Sequence, residues 1–269
     1  MPPLARYVQK SPQDLGTSRL ESGHASGIWN ALEIGAKNIV ITWLASDQFW
    51  AVVATAAVVL VTTVSARRWP GRWLGWELKV LAVLLLIAEA SWWISLAQWR
   101  PWSPAYGLPL HFCDTAALIT AAALWWRQRW MVELTWFWGM VGCLQGLLTP
   151  DLQQHFPNWW YFQYYLVHAL PVVAAILLVI GLRLIPRRGA VVRAYLITAL
   201  YTILIGGIDF LTGGNYMYLR QPPNIHSLLN FMGPWPWYIL STTLLALLLF
   251  WLFDLPFQKR PHLWPGRKG

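Results

Sequence analysis

The sequence predicts an all-α bundle of about seven transmembrane helices, and three observations carry that reading. Of its 269 residues, 57% are hydrophobic and only 12% are charged, whereas soluble domains carry roughly 25% charged residues. Several apolar runs approach or exceed the ~18 residues that span hydrocarbon. The 21 tryptophans suit the same class, because indole is favoured at the membrane–water interface.

Residues 1–27 are polar and rich in Pro, Ser and Gly, the composition of a flexible tail. They hold no apolar h-region of a cleavable signal peptide. "IWNALEIGAKNIVITWL" (28–44) is amphipathic and too interrupted to span, which predicts an interfacial helix. The bundle is expected over 45–257, with spans at 48–66, 74–98, 108–126, 131–149, 159–184, 191–211 and 235–254. "RRWPGR" ends the first, and Pro150 stops the fourth. "PRRGAVVR" follows the fifth and "TGGN" closes the sixth. "GPWPWY" opens the last, with prolines near its first turn. Residues 258–269 form a basic tail.

The net charge of +9 raises the question of nucleic acid, but the positions of the charges answer it. Arg67, Arg68 and Arg72 follow the first span, and Arg127 and Arg129 the third. Arg183, Arg187, Arg188 and Arg193 surround the loop after the fifth, and Lys259, Arg260, Arg267 and Lys268 lie in the tail. The alternate loops hold only Arg100 and Arg220. This is the positive-inside pattern, and an odd number of spans gives N-terminus out and C-terminus in. No basic helix interleaved with stacking aromatics suggests nucleic-acid binding. The expected partner is the lipid bilayer, and the expected location a cell membrane crossed many times.

Ionisable groups inside hydrocarbon are costly and by default functional candidates. His111, Cys113 and Asp114 fall near the outer start of the third span. Cys143 and Gln145 lie near the outer end of the fourth, Gln163 and His168 in the outer half of the fifth. Glu89, Asp209 and the loop residues Asn215 and Tyr216 belong to the same zone. Five helices thus place polar groups in one half of the membrane, which predicts a single outward-facing pocket.

Cys113 and Cys143 are too few for a disulfide framework and lack the spacing of a zinc site. Cys143 sits in "GMVGCLQG", a small-residue packing face. There is no HExxH, no Gly-x-Ser-x-Gly elbow and no phosphate-cradling glycine loop. No i,i+4 histidine pair supports a metal, and no cofactor is expected. What remains is a thiol, one or two histidines and carboxylates to orient them. A Cys–His pair is suited to acyl transfer from an ester carbonyl. Asp209 or Asp114 is expected to orient the imidazole, and Gln145, Asn215 or Tyr216 to donate to the oxyanion. His111, Gln163 and Glu89 complete the expected substrate-binding wall. The alternative is a non-enzymatic carrier or receptor-like bundle holding a small polar or lipid ligand.

The motifs "LPLHFCDTAALI", "ELTWFWGMVGCLQGLLTPDL", "FPNWWYFQYYLVHA", "PRRGAVVRAY", "GGNYMYLRQPPN" and "SLLNFMGPWPWY" occur in order. Over roughly residues 45–257 they resemble the YwaF-like family of bacterial integral membrane proteins. That family is similar to a eukaryotic multi-pass acyltransferase acting on ether phospholipids, and more distantly to androgen-induced intramembrane hydrolases. The resemblance implies a nucleophile at Cys113 in "LHFCD" and a base at His168 in "YYLVHA". It also implies a phospholipid or lysophospholipid substrate and a bacterial inner membrane. The chain departs from the family pattern at Asn230, where an Asp is usual.

Overall fold

Seven apolar runs of the sequence wind into helices whose ends are set by capping residues. The computed structural model describes residues 46–258, apart from 100, 151, 153 and 224–227. The tail 1–27, the interfacial helix expected at 28–44 and the basic residues beyond 258 lie outside the described residues. The helices are α1 (Asp47–Arg68), α2 (Trp73–Trp99), α3 (Phe112–Trp126), α4 (Arg129–Leu148), α5 (Trp159–Gly181), α6 (Ala190–Thr212) and α7 (Trp237–Asp254). There is no strand among the described residues. Six of these helices are long and apolar enough to cross a membrane, and α3 is a shorter apolar helix.

Local chemistry fixes several of these boundaries. Ser46 Oγ accepts from Phe49 N at 3.2 Å and starts α1, and Asn158 Oδ1 accepts from Trp160 N at 2.9 Å and starts α5. Gly189 (φ 72°) and Gly213 (φ 74°) bracket α6 in left-handed backbone that suits glycine.

α3 departs from the sequence expectation. It begins at Phe112 rather than at residue 108, and it has 15 residues, about 22 Å at ~1.5 Å per residue. Two features set the later start. Pro109 disfavours helix in the residue before it, and the Asp114 carboxylate accepts from His111 N at 3.3 Å, capping the new first turn. The preceding segment folds inward instead. Tyr216 pins it, its hydroxyl donating to Pro104 O and accepting from Leu108 N, both at 2.9 Å. Burial holds the Tyr216 phenol above its usual range, so it stays a protonated donor.

α5 is the hub, packing against α1, α2, α3 and α4. Of its most apolar window 67% is buried, against 6% in α1 and 11% in α6 and α7. The outer helices therefore turn most of their apolar surface outward, as a lipid-facing wall does.

Three glycines let α4 approach its neighbours. A Cβ at Gly139 would meet the Pro171 carbonyl oxygen of α5 at 2.8 Å. One at Gly142 would lie 2.2 Å from the Phe112 ring, and one at Gly146 2.3 Å from the His168 ring. Gly139–Cys143 forms a π-helical turn, the kind of insertion that re-aims side chains at functional sites. The small-residue face expected from "GMVGCLQG" is thus a surface onto which α3 and α5 pack.

The opposite end carries the basic loops. Glu133, nearly fully buried, takes Arg187 in two parallel bonds of 2.8 and 3.0 Å and Arg193 in bonds of 2.8 and 3.1 Å. Arg193 also donates to Arg188 O at 3.0 Å. Glu133 holds the Arg187 guanidinium above its ordinary value, so it stays charged at any working pH. This network ties the α5–α6 connection to α4.

Candidate active site

Four helices converge on Cys113. It is the second residue of α3, and its thiol lies beside the His168 imidazole of α5 and the Cys143 thiol of α4. Asp114 and Glu89, the latter on α2, lie beside the same group with their carboxyls adjacent to each other. His168 is about 14 Å into α5 and Glu89 about 15 Å from the end of α2, at ~1.5 Å per residue. Cys113 meets them at that depth because α3 is short and its start is recessed.

The imidazole is held from three sides. Nδ1 donates to the Tyr164 carbonyl at 2.8 Å, and a carbonyl partner requires the proton to be on Nδ1. Nε2 is left as the ring nitrogen that can take a proton from the thiol. The Tyr164 ring stacks on the imidazole at 4.2 Å, and its hydroxyl donates to Gly146 O at 2.9 Å. Gly146 supplies the space: a Cβ there would stand 2.7 Å from Nε2.

The start of α3 gives the sulfur a polar setting. The first turn of a helix presents backbone N–H groups without intrahelical acceptors and the positive end of the macrodipole. Cys113 occupies that turn, beside His168 and with His111 close by. Cys143 is fully buried against it, and its S–H can donate to a thiolate.

The other expected residues are arranged around this centre rather than in it. His111 lies between the Tyr216 and Tyr218 rings, centroids 5.3 and 5.9 Å away, and its Nδ1 accepts from Met217 N at 3.4 Å. Asp209 is completely buried, with Oδ1 accepting from Tyr216 N at 2.8 Å. It organises the loop after α6. Asn215 closes that loop on itself, its Oδ1 accepting from Arg220 N at 2.9 Å and its Nδ2 donating to Gln221 O at 3.0 Å. Gln145 donates to Thr149 Oγ1 at 2.7 Å on an exposed surface. Gln163 donates to Ala88 O at 3.5 Å across the α2–α5 seam.

The sequence pattern gives no sign of the roles of Tyr164 and Gly146, and suggests only a packing role for Cys143. No linear signal pairs the two thiols. Among the described residues, no group of three His, Cys, Asp or Glu side chains is disposed to hold a metal.

A model of the TMEM164 family matches residues 35–254. The chain belongs to the TMEM164 family. The match covers all seven helices, so the family spans the convergence on Cys113 and both halves of the bundle. With six long apolar helices, this TMEM164-family chain is a multi-pass membrane protein. Comparison with curated proteins and with solved structures finds no match.

Proposed function

We propose that this protein is a membrane-embedded acyltransferase or lipid-ester hydrolase working through an acyl-thioester on Cys113. The observation that carries the reading is the meeting of the Cys113 thiol with an imidazole whose other nitrogen is committed to a backbone carbonyl. The resemblance of its motifs to YwaF-like proteins of the bacterial inner membrane, and through them to an ether-phospholipid acyltransferase, points the same way.

His168 Nε2 takes the thiol proton as Cys113 Sγ attacks the ester carbonyl carbon of a phospholipid. The tetrahedral intermediate collapses, the C–O bond breaks, and the leaving alkoxide takes the proton back from His168 as a lysolipid hydroxyl. Water or an acceptor lysophospholipid then gives its proton to Nε2 and attacks the thioester, and the thiol leaves reprotonated. Asp114, beside both groups, caps the first turn of α3 through His111 N and so helps hold the thiol against the imidazole. Backbone N–H groups of the first α3 turn serve the oxyanion, the side chains of Gln145 and Asn215 being engaged elsewhere. The positive-inside charge pattern supports a site toward the outer leaflet.

Purified protein in phospholipid nanodiscs with a fluorescent-acyl phosphatidylcholine tests this. The reading expects release or transfer of the acyl chain by wild type and its loss in Cys113→Ala and His168→Ala. Equal rates in wild type and Cys113→Ala would overturn it.

A further inference from the structure

The chain has two cysteines, and the fold brings them together from different helices. Cys113 is the second residue of α3, and Cys143 ends the π-helical turn of α4. Both are free thiols.

Helix packing sets this pair. α3 packs on the π-helical turn Gly139–Cys143. The residues just before the two cysteines touch each other: a Cβ on Gly142 would stand 2.2 Å from Phe112 Cε1, so only glycine admits that ring. Small residues of this kind let membrane helices bring their backbones close, and a disulfide requires Cα atoms about 4.4–6.8 Å apart. Cys113 itself packs against the buried cluster that includes Cys143, and the two thiols lie side by side.

The thiols differ in exposure. Cys113 is partly open, whereas Cys143 is completely buried. An oxidant therefore meets Cys113 first, and the one other thiol of the chain stands behind it. With Nδ1 of His168 committed to the Tyr164 carbonyl, Nε2 is the nitrogen that takes the Cys113 proton, and the thiolate is the form that peroxides oxidise. On the outer side, which the charge pattern supports for this site, disulfides persist rather than being reduced.

We propose that Cys113 and Cys143 form an oxidation site, in which a hydroperoxide oxidises Cys113 and Cys143 resolves it as an intramolecular disulfide. Cys113 Sγ attacks the terminal peroxide oxygen as His168 Nε2 takes the thiol proton. The O–O bond breaks, and the departing alkoxide takes that proton and leaves as an alcohol. The sulfur, oxidised by two electrons, is then a sulfenic acid. Cys143 Sγ attacks it, the S–O bond breaks, and water leaves with the Cys143 proton. An external dithiol reverses the bond by exchange. The oxidation site goes beyond the acyl-transfer reading and does not depend on it.

The full chain in nanodiscs is treated with hydrogen peroxide, its remaining thiols are blocked with N-ethylmaleimide under denaturing conditions, and non-reduced peptides are mapped by mass spectrometry. Wild type should lose both thiols together, yield the peptides cross-linked through Cys113 and Cys143, run as a single chain on a non-reducing denaturing gel, and recover both thiols with dithiothreitol. Cys143→Ala should form no cross-link and should accumulate severalfold more Cys113 sulfenic acid, trapped by dimedone. In Cys113→Ala, the buried Cys143 should stay reduced. A wild-type Cys143 that stays reduced, whether or not Cys113 is oxidised, would overturn the proposal. So would cross-links between two chains, or a Cys143 oxidised as fast in Cys113→Ala as in wild type. The intramolecular cross-link in a protein whose Cys113→Ala variant keeps full acyl turnover would leave the oxidation site standing and overturn only the thiol mechanism.

Discussion

The His168 ring occupies the space that a side chain at Gly146 would fill. A Cβ built on Gly146 comes within 2.3 Å of His168 Cδ2 and 2.7 Å of Nε2, closer than any real contact. The glycine therefore admits the imidazole to the place where the Tyr164 carbonyl and ring hold it.

Gly146→Ala should displace the imidazole from Cys113. Overpacking of this kind costs about 1–3 kcal/mol of stability, which a thermal melt in nanodiscs would register. Activity should fall nearly as far as in His168→Ala although the variant still folds. An active Gly146→Ala protein would mean that His168 can work from elsewhere.

Tyr164 separates stacking from hydrogen bonding. Tyr164→Phe keeps the ring on the imidazole and loses only the bond to Gly146 O, a change worth about 0.5–1.5 kcal/mol. Its turnover should stay within a few-fold of wild type. Tyr164→Leu loses the stack, and its turnover should drop much further at similar expression, measured as acyl release per folded protein.

Asp209 gives the complementary result. It supports the backbone of Tyr216, while His168 is oriented by the Tyr164 carbonyl. Asp209→Ala should raise amide exchange across 213–218 and still allow acylation of Cys113. If Asp209→Ala abolishes acylation while exchange in that loop is unchanged, Asp209 belongs to the chemistry.

Glu133 anchors the basic end. Arg187 and Arg193 keep 36% and 39% of their side-chain surface open, so water compensates part of a broken network. Glu133→Ala should cost about 1–3 kcal/mol, less than the 3–5 typical of fully buried pairs. The folded fraction should retain wild-type turnover, because the network lies at the far end from Cys113.

Most of the bundle was readable from apolar run lengths and punctuation. Pro150, "PRRGAVVR" and "TGGN" end or follow helices within a few residues of where they were expected. The start of α3 was not readable from hydropathy. Apolar residues 108–110 extend the run, but Pro109 and the Asp114 cap exclude them from the helix. The polar zone was legible as a shared depth, yet depth does not say which side chains face one another. His168 meets Cys113 because Gly146 yields space on a third helix. Asp209 turns to a loop amide because the chain reverses at Gly213. Such contacts depend on helix rotation and on a π-helical turn, neither of which a one-dimensional pattern encodes.

The central claim is a covalent bond between an acyl chain and Cys113. Wild-type protein in nanodiscs should be mixed with radiolabelled-acyl phosphatidylcholine, quenched in acid during turnover and digested. The account predicts label on the peptide containing Cys113, released by neutral hydroxylamine as a thioester is, reduced in His168→Ala and absent in Cys113→Ala. Turnover without hydroxylamine-sensitive label on that peptide in a burst-resolved time course would contradict it.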